Sequence, residues 1–92
     1  MQNALIVDPA DNVVVAIESI KKGDAVEYTL EGRRISFPAA DDITIYHKAA
    51  CREIPEGTPV IKYGQYIGIA ACDIHKGEHV HVHNVISRKE KR

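Results

Sequence analysis

Apolar and polar residues alternate along much of this chain in short β-branched runs, broken every few residues by turn chemistry. The runs cover residues 5–7, 13–17, 25–30, 33–37, 43–50, 60–63, 66–71 and 79–85. Period-two alternation in segments rich in Val, Ile, Thr and Tyr predicts strands, and their close spacing predicts an all-β domain. Asp8-Pro9 and Asp11-Asn12 form the first turn. Glu31-Gly32 closes a hairpin between Thr29-Leu30 and Arg33-Arg34, and Gly64-Gln65 closes another between Ile61-Lys62-Tyr63 and Tyr66-Ile67. Asp41-Asp42 could open a helix, but Ile43-Thr44-Ile45-Tyr46 alternates and is β-branched, so it reads as strand. Residues 18–23 have room for a single helical turn.

One phrase recurs three times: Ile20-Lys21-Lys22-Gly23-Asp24-Ala25-Val26, Ile54-Pro55-Glu56-Gly57-Thr58-Pro59-Val60 and Ile74-His75-Lys76-Gly77-Glu78-His79-Val80. The shared core is Ile-x-x-Gly-x-x-Val, with an apolar strand on either side. Glycine takes a positive φ at little cost, and the isoleucine three positions earlier can tuck under the turn. The copies are unevenly spaced, which argues against a solenoid and for strands folded over one another as a clip or small barrel.

At 92 residues the chain is one small domain. A domain of that size buries only about two-thirds of its unfolded surface and gains from a partner's support. Its net charge of −1 gives no global pull toward nucleic acid or an acidic membrane. The basic run Arg88-Lys89-Glu90-Lys91-Arg92 reads as a solvated tail behind a domain spanning residues 1–87. Cys51 and Cys72 occupy matching places in two copies of the repeat. They are too few for a disulfide framework and read as half-buried thiols. The N-terminus lacks a charged start and a long apolar stretch, and no run approaches membrane-spanning length, so a cytoplasmic protein is expected.

The third copy runs into His79-Val80-His81-Val82-His83-Asn84. On a strand, the three histidines would share one face and the valines the other, with i and i+2 neighbours about 6–7 Å apart. Two imidazoles at that spacing can converge on one metal ion. His47, ending the apolar run of Ile43 and Ile45, is the natural third candidate, which makes His47, His81 and His83 the expected metal set. A hydrogen-bonded structural role for these histidines is the alternative. His75 lies inside a glycine turn and reads as an exposed loop residue. Lys48 and Lys62 follow apolar stretches and Tyr63 precedes a turn; these three are the expected substrate-binding residues, and a lysine beside a metal could hold a substrate carboxylate. The chain has no phosphate loop, Cys-x-x-Cys pair or Ser-His-Asp order, and no full acid–base set can be assembled from it.

The stretch His47-Lys48, Glu53-Ile54, Gly57, Val60-Ile61-Lys62-Tyr63-Gly64, Ile67-Gly68, Ala70, Asp73-Ile74, Gly77-Glu78 and the ending His79 to Asn84 resembles the SAF domain of the altronate and galactarate dehydratase family. Asp11-Asn12-Val13-Val14-Val15-Ala16 resembles the start of the same domain. The most specific matches are Lys62-Tyr63-Gly64 with Ile67-Gly68, and the Val-His-Val-His-Asn ending. The resemblance implies a β-clip fold. It implies a small subunit, inactive alone, that works with a large dehydratase subunit on a sugar acid by β-elimination of water. It also implies a divalent metal, iron or manganese, shared with that subunit. Two alternatives follow from the same resemblance: the small subunit of sulfolactate sulfo-lyase, or a non-catalytic SAF module that binds carbohydrate. Self-association is left open.

Overall fold

A repeated tight turn organises the computed structural model, which describes residues 2–86. Nine short strands carry the chain: β1 (Ala4–Leu5), β2 (Val13–Ala16), β3 (Ala25–Leu30), β4 (Arg33–Pro38), β5 (Lys48–Ala50), β6 (Pro59–Lys62), β7 (Gln65–Ala70), β8 (His79–Val80) and β9 (Val85–Ile86). All pairings are antiparallel, in three small sheets ordered β1-β2-β5-β8, β3-β4 and β6-β7-β9. The described residues contain no helix, so none is long and apolar enough to cross a membrane. The expectation of an all-β fold of short strands and glycine turns holds.

The turn occurs four times, not three. In the copies visible in the sequence, Gly23, Gly57 and Gly77 have φ of 92°, 85° and 93°. Their amides donate to Ala39 O, Ala70 O and Ala50 O at 2.8, 2.9 and 2.8 Å. The fourth copy is Ile43-Thr44-Ile45-Tyr46-His47-Lys48-Ala49. Tyr46 replaces the glycine at φ 70°, and its amide donates to Ala16 O at 2.7 Å. A bulky residue in that region is rare and costs about 1–2 kcal/mol. The copies also pair. Ile20 exchanges both backbone hydrogen bonds with Ile43, and Ile54 does the same with Ile74. The acidic residue before an isoleucine caps the opposite turn: Asp42 accepts from Lys22 N, Asp73 from Glu56 N and Glu53 from Lys76 N.

Each pair of turns seals its own core. Ile20 and Ile43 lie in a cluster with Val14, Val26, Tyr28 and Phe37, where Tyr28 and Phe37 meet edge to face at 6.2 Å. Ile54 and Ile74 lie in a second cluster with Val13, Val60, Ala70 and Val80. Strand β2 faces both, with Val14 in one and Val13 in the other. The first turn ties β2 to the β6–β7 hairpin. Buried Asp11 accepts from Gly64 N at 2.8 Å, and Asn12 accepts from Ile61 N and donates to Pro59 O.

Several segment expectations are corrected. Residues 43–50 are not one strand: the fourth turn occupies most of the segment, and only Lys48–Ala50 pairs as β5. Residues 79–85 break after Val80 into a turn and resume at Val85. Val82, expected on the face opposite the histidines together with Val80, is 81% exposed, whereas Val80 is buried. Residues 5–7 shorten to β1, and the second hairpin turns on Tyr63-Gly64, between Lys62 and Gln65, one residue before the expected pair. The thiols differ: Cys51 is buried and Cys72 exposed. Burial raises the Cys51 pKa, leaving a less reactive thiol. The basic run at 88–92 lies outside the described residues.

The repeat glycines should differ in tolerance. A Cβ on Gly57 meets nothing within 4 Å, whereas one on Gly77 would lie 2.6 Å from Pro38 O and 3.0 Å from Ala40 N. Gly57→Ala should destabilise by about 1–2 kcal/mol from backbone conformation alone. Gly77→Ala should cost about 2–5 kcal/mol, because a clash of about 1–3 kcal/mol is added. Urea unfolding of the two variants checks the difference.

Candidate functional site

The pairing of β5 with β8 brings distant histidines together. Its register sets Lys48 opposite Val80 and Ala49 opposite His79, and one further step along the ladder brings His47 to His81. The fourth turn fixes His47, whose amide donates to Thr44 O at 2.9 Å. The His47 and His81 rings stack with centroids 4.2 Å apart and planes 17° apart. His79 completes the group. Its Nε2 lies 2.8 Å from His47 Nδ1, a hydrogen bond in which either ring can donate, according to tautomer. One nitrogen from each of the three rings lies within 4.8 Å of the others.

Asn84 holds this group from beneath. It is only 5% exposed, and every polar group it has is used. Its Oδ1 accepts from His81 N at 3.0 Å, and its Nδ2 donates to His79 O at 2.8 Å. Its backbone N–H donates to His81 O, and its carbonyl accepts from Ala71 N. One amide side chain thus spaces the backbones of two of the three histidines. Asp41 adds a further tether by accepting from His79 N at 3.0 Å.

A groove of about 220 Å³ opens beside the rings, lined by Lys48, Ile67, His81, Val82 and Val85. Partial burial lowers the pKa of His79 and of His81, and neighbouring His47 lowers both further. Lys48 adds its positive charge against His81. Lys48 is itself lowered, first by burial and then by the charge of Lys62. Lys62 sits with Nζ 4.8 Å from the centre of the Tyr63 ring.

Of the expected site residues, the structure gathers His47, His81 and Lys48, with Lys62 near Lys48. The three rings that the structure brings together differ from the expected metal set by one member. His83 is exposed and tilts 37° against His79 at 5.3 Å, outside the group of three, and His79 stands in its place. The turn after Val80 takes His83 off the single face that strand alternation would give all three histidines. Tyr63 lies at the hairpin tip, more than half exposed, and touches Lys62 rather than the groove. His75 is exposed as expected and pairs with Glu53 at 2.7 Å. Asn84 closed the repeated His-x-His pattern in the sequence, but nothing there indicated its bracing role.

A family model described as the altronate/galactarate dehydratase SAF domain matches residues 2–88. The chain belongs to that family. It is 39% identical to an altronate dehydratase of Bacillus subtilis over 84 residues, covering 91% of this chain but 16% of that enzyme. An altronate dehydratase of Escherichia coli is 39% identical over 74 residues, 14% of its length. The (2R)-sulfolactate sulfo-lyase subunit alpha of Chromohalobacter salexigens is 38% identical over 88 residues, covering 91% of this chain and 94% of that subunit. This SAF domain therefore spans a small part of the dehydratases it matches and nearly the whole of a lyase subunit.

The histidines of this SAF domain should titrate in opposite directions. His79 and His81 are lowered from 6.5, so the unfolded chain binds more protons just below that value. Their contribution to stability is complete above about 6.5 and is lost as pH falls through their lowered pKa values. His75 is raised by the Glu53 carboxylate. Its contribution is present below about 6.5 and is lost as pH rises through its raised pKa. Ring-proton NMR of the metal-free chain should place the His75 midpoint above 6.5 and those of His79 and His81 below it.

Proposed function

We propose that this SAF domain is the small component of a hydroxy-acid lyase, that a larger dehydratase-type subunit completes its active centre, and that His47, His79 and His81 hold a divalent metal there. The observation that carries this reading is the convergence of three imidazoles at a groove lined by Lys48 but by no carboxylate. The groove offers imidazole ligands and positive charge, and among the described residues no carboxylate lines it. The alignment along nearly all of a sulfo-lyase subunit supports a subunit role.

The donor set fits such an ion. Metal–imidazole bonds of about 2.0–2.1 Å require two ligand nitrogens on one ion to lie within about 4.2 Å of each other. The His47–His79 pair already meets this at 2.8 Å, and small ring rotations bring in His81. A set made only of imidazoles suits iron better than manganese, which prefers oxygen ligands. Bound there, the ion would supply the positive charge that stabilises an enediolate. Binding must displace the proton shared by His47 and His79, so affinity should rise with pH.

This chain's residues orient the substrate. Lys48 pairs with its carboxylate through a charge-assisted hydrogen bond, and the apolar walls of the groove exclude water from one side. In the elimination, a base on the partner takes the proton next to the carboxylate. The electron pair forms the new double bond, and the β-substituent departs with its bonding pair, either as hydroxide that takes back the proton held by that base to become water or as sulfite from a sulfonate.

His47→Ala and His81→Ala, each tested in the assembled two-subunit enzyme, should lower turnover by about 100-fold or more and reduce bound metal. Glu53→Gln, far from the groove, should leave both unchanged. Full turnover and full metal content in both histidine variants would overturn the reading and leave a non-catalytic binding module.

A further inference from the structure

The crest of the repeated turn is built in two ways. In three copies a charged residue precedes the glycine, as Lys22-Gly23, Glu56-Gly57 and Lys76-Gly77, and each charged side chain is exposed. In the fourth copy the same two places hold Ile45-Tyr46. Both are exposed, Tyr46 to 72%. Ile17 is exposed as well, and it follows Ala16, whose carbonyl accepts from Tyr46 N. Glycine takes the positive φ of this turn without steric cost, whereas Tyr46 holds φ 70° against its Cβ. Among the described residues its side chain has no hydrogen bond, ion pair or ring contact, so nothing polar or aromatic within the chain offsets that strain. Backbone strain of this kind concentrates at sites that serve function.

We infer that Ile17, Ile45 and Tyr46 form the surface on which the larger subunit docks, with the Tyr46 ring as its anchor. The place of the crest selects this occupant. His47 is the next residue, and its ring belongs to the group of three, so a subunit that completes that centre must also reach the turn that carries it. The match covers only 16% of an altronate dehydratase, which leaves most of such an enzyme to lie against the domain. The chemistry of the crest says what the facing surface offers. Two isoleucines and an aromatic ring call for an apolar pocket, and the phenol calls for a hydrogen-bonding group at its rim. Tyrosine in that setting is a common source of interface energy, because a rigid ring buries much area with little loss of freedom. A crest of Lys-Gly or Glu-Gly, as in the other copies, offers neither ring nor apolar area. The inference rests on the two-subunit reading above and names the face by which this chain meets its partner.

Tyr46→Gly should move two measurements in opposite senses. It gives the fourth turn the residue that the other three use, so the urea midpoint of this chain alone should stay level or rise. Calorimetric titration against the larger subunit should show a Kd raised about tenfold or more, as expected for loss of an anchor. Ile45→Lys, which copies the first and third crests, should also weaken docking, and Tyr46→Phe should keep most of the affinity. Turnover with saturating Tyr46→Gly chain should match that of the wild type, which separates docking from chemistry. An unchanged Kd for Tyr46→Gly, a lowered urea midpoint, or turnover that stays low at saturation would overturn the inference. So would self-association of this chain that Tyr46→Gly abolishes, which would assign the crest to a second copy. The catalytic reading fails separately, as full turnover in the histidine variants, whose Tyr46 is intact.

Discussion

The fold depends on a backbone residue held at positive φ whose amide reaches a carbonyl on another strand. The residue three places earlier tucks an isoleucine beneath it, and the one three places later drops valine or alanine into the interior. Ile20, Ile43, Ile54 and Ile74 are all buried, as are Val26, Ala49, Val60 and Val80. A turn of this kind cannot close alone, because its isoleucine carries a free N–H and C=O. Pairing two turns through those groups satisfies both. Two such pairs, with β2 between their cores, make the domain. Regular sheets are small here because the turns themselves carry much of the cross-linking.

How much of this was legible follows from what the turn requires. Three copies were visible because glycine marks the positive φ. The fourth was hidden because Tyr46 takes the same conformation without that mark, and Ile43-Thr44-Ile45 then imitates a strand. The ending was misread for a related reason. His79 to Asn84 alternates like a strand, but the Asn84 side chain competes for backbone groups that a ladder would use, and the chain turns. Alternation would keep His83 beside His81, while the folded chain sets His79 beside His47. The second hairpin lies one residue earlier than expected because Tyr63, like Tyr46, takes a left-handed conformation that its residue type does not signal.

The histidine group shows a second limit. His47 and His81 are 34 positions apart in sequence and meet only through the β5–β8 register. Spacing within one strand could propose a local pair but could not say which distant ring completes it. The place of His47 at the end of the apolar run of Ile43 and Ile45 made it the third candidate, and the register shows what it faces. Lys48 and Lys62, both candidates for a substrate carboxylate, lie on different strands, β5 and β6, and the charge of Lys62 acts on Lys48. Among the described residues no carboxylate lines the groove, and the domain covers nearly all of a lyase subunit but only a small share of the dehydratases it matches.

Asn84 gives the cluster an uncommon division of labour. The bracket that sets the interval between two imidazoles is a neutral carboxamide, with no ionisation of its own across the range in which histidines gain and lose protons. Acidification can thus alter what the rings carry while leaving the brace beneath them chemically the same. An aspartate at this place would have the same outline but would lose two hydrogen-bond donors and tie the geometry of the centre to its own ionisation.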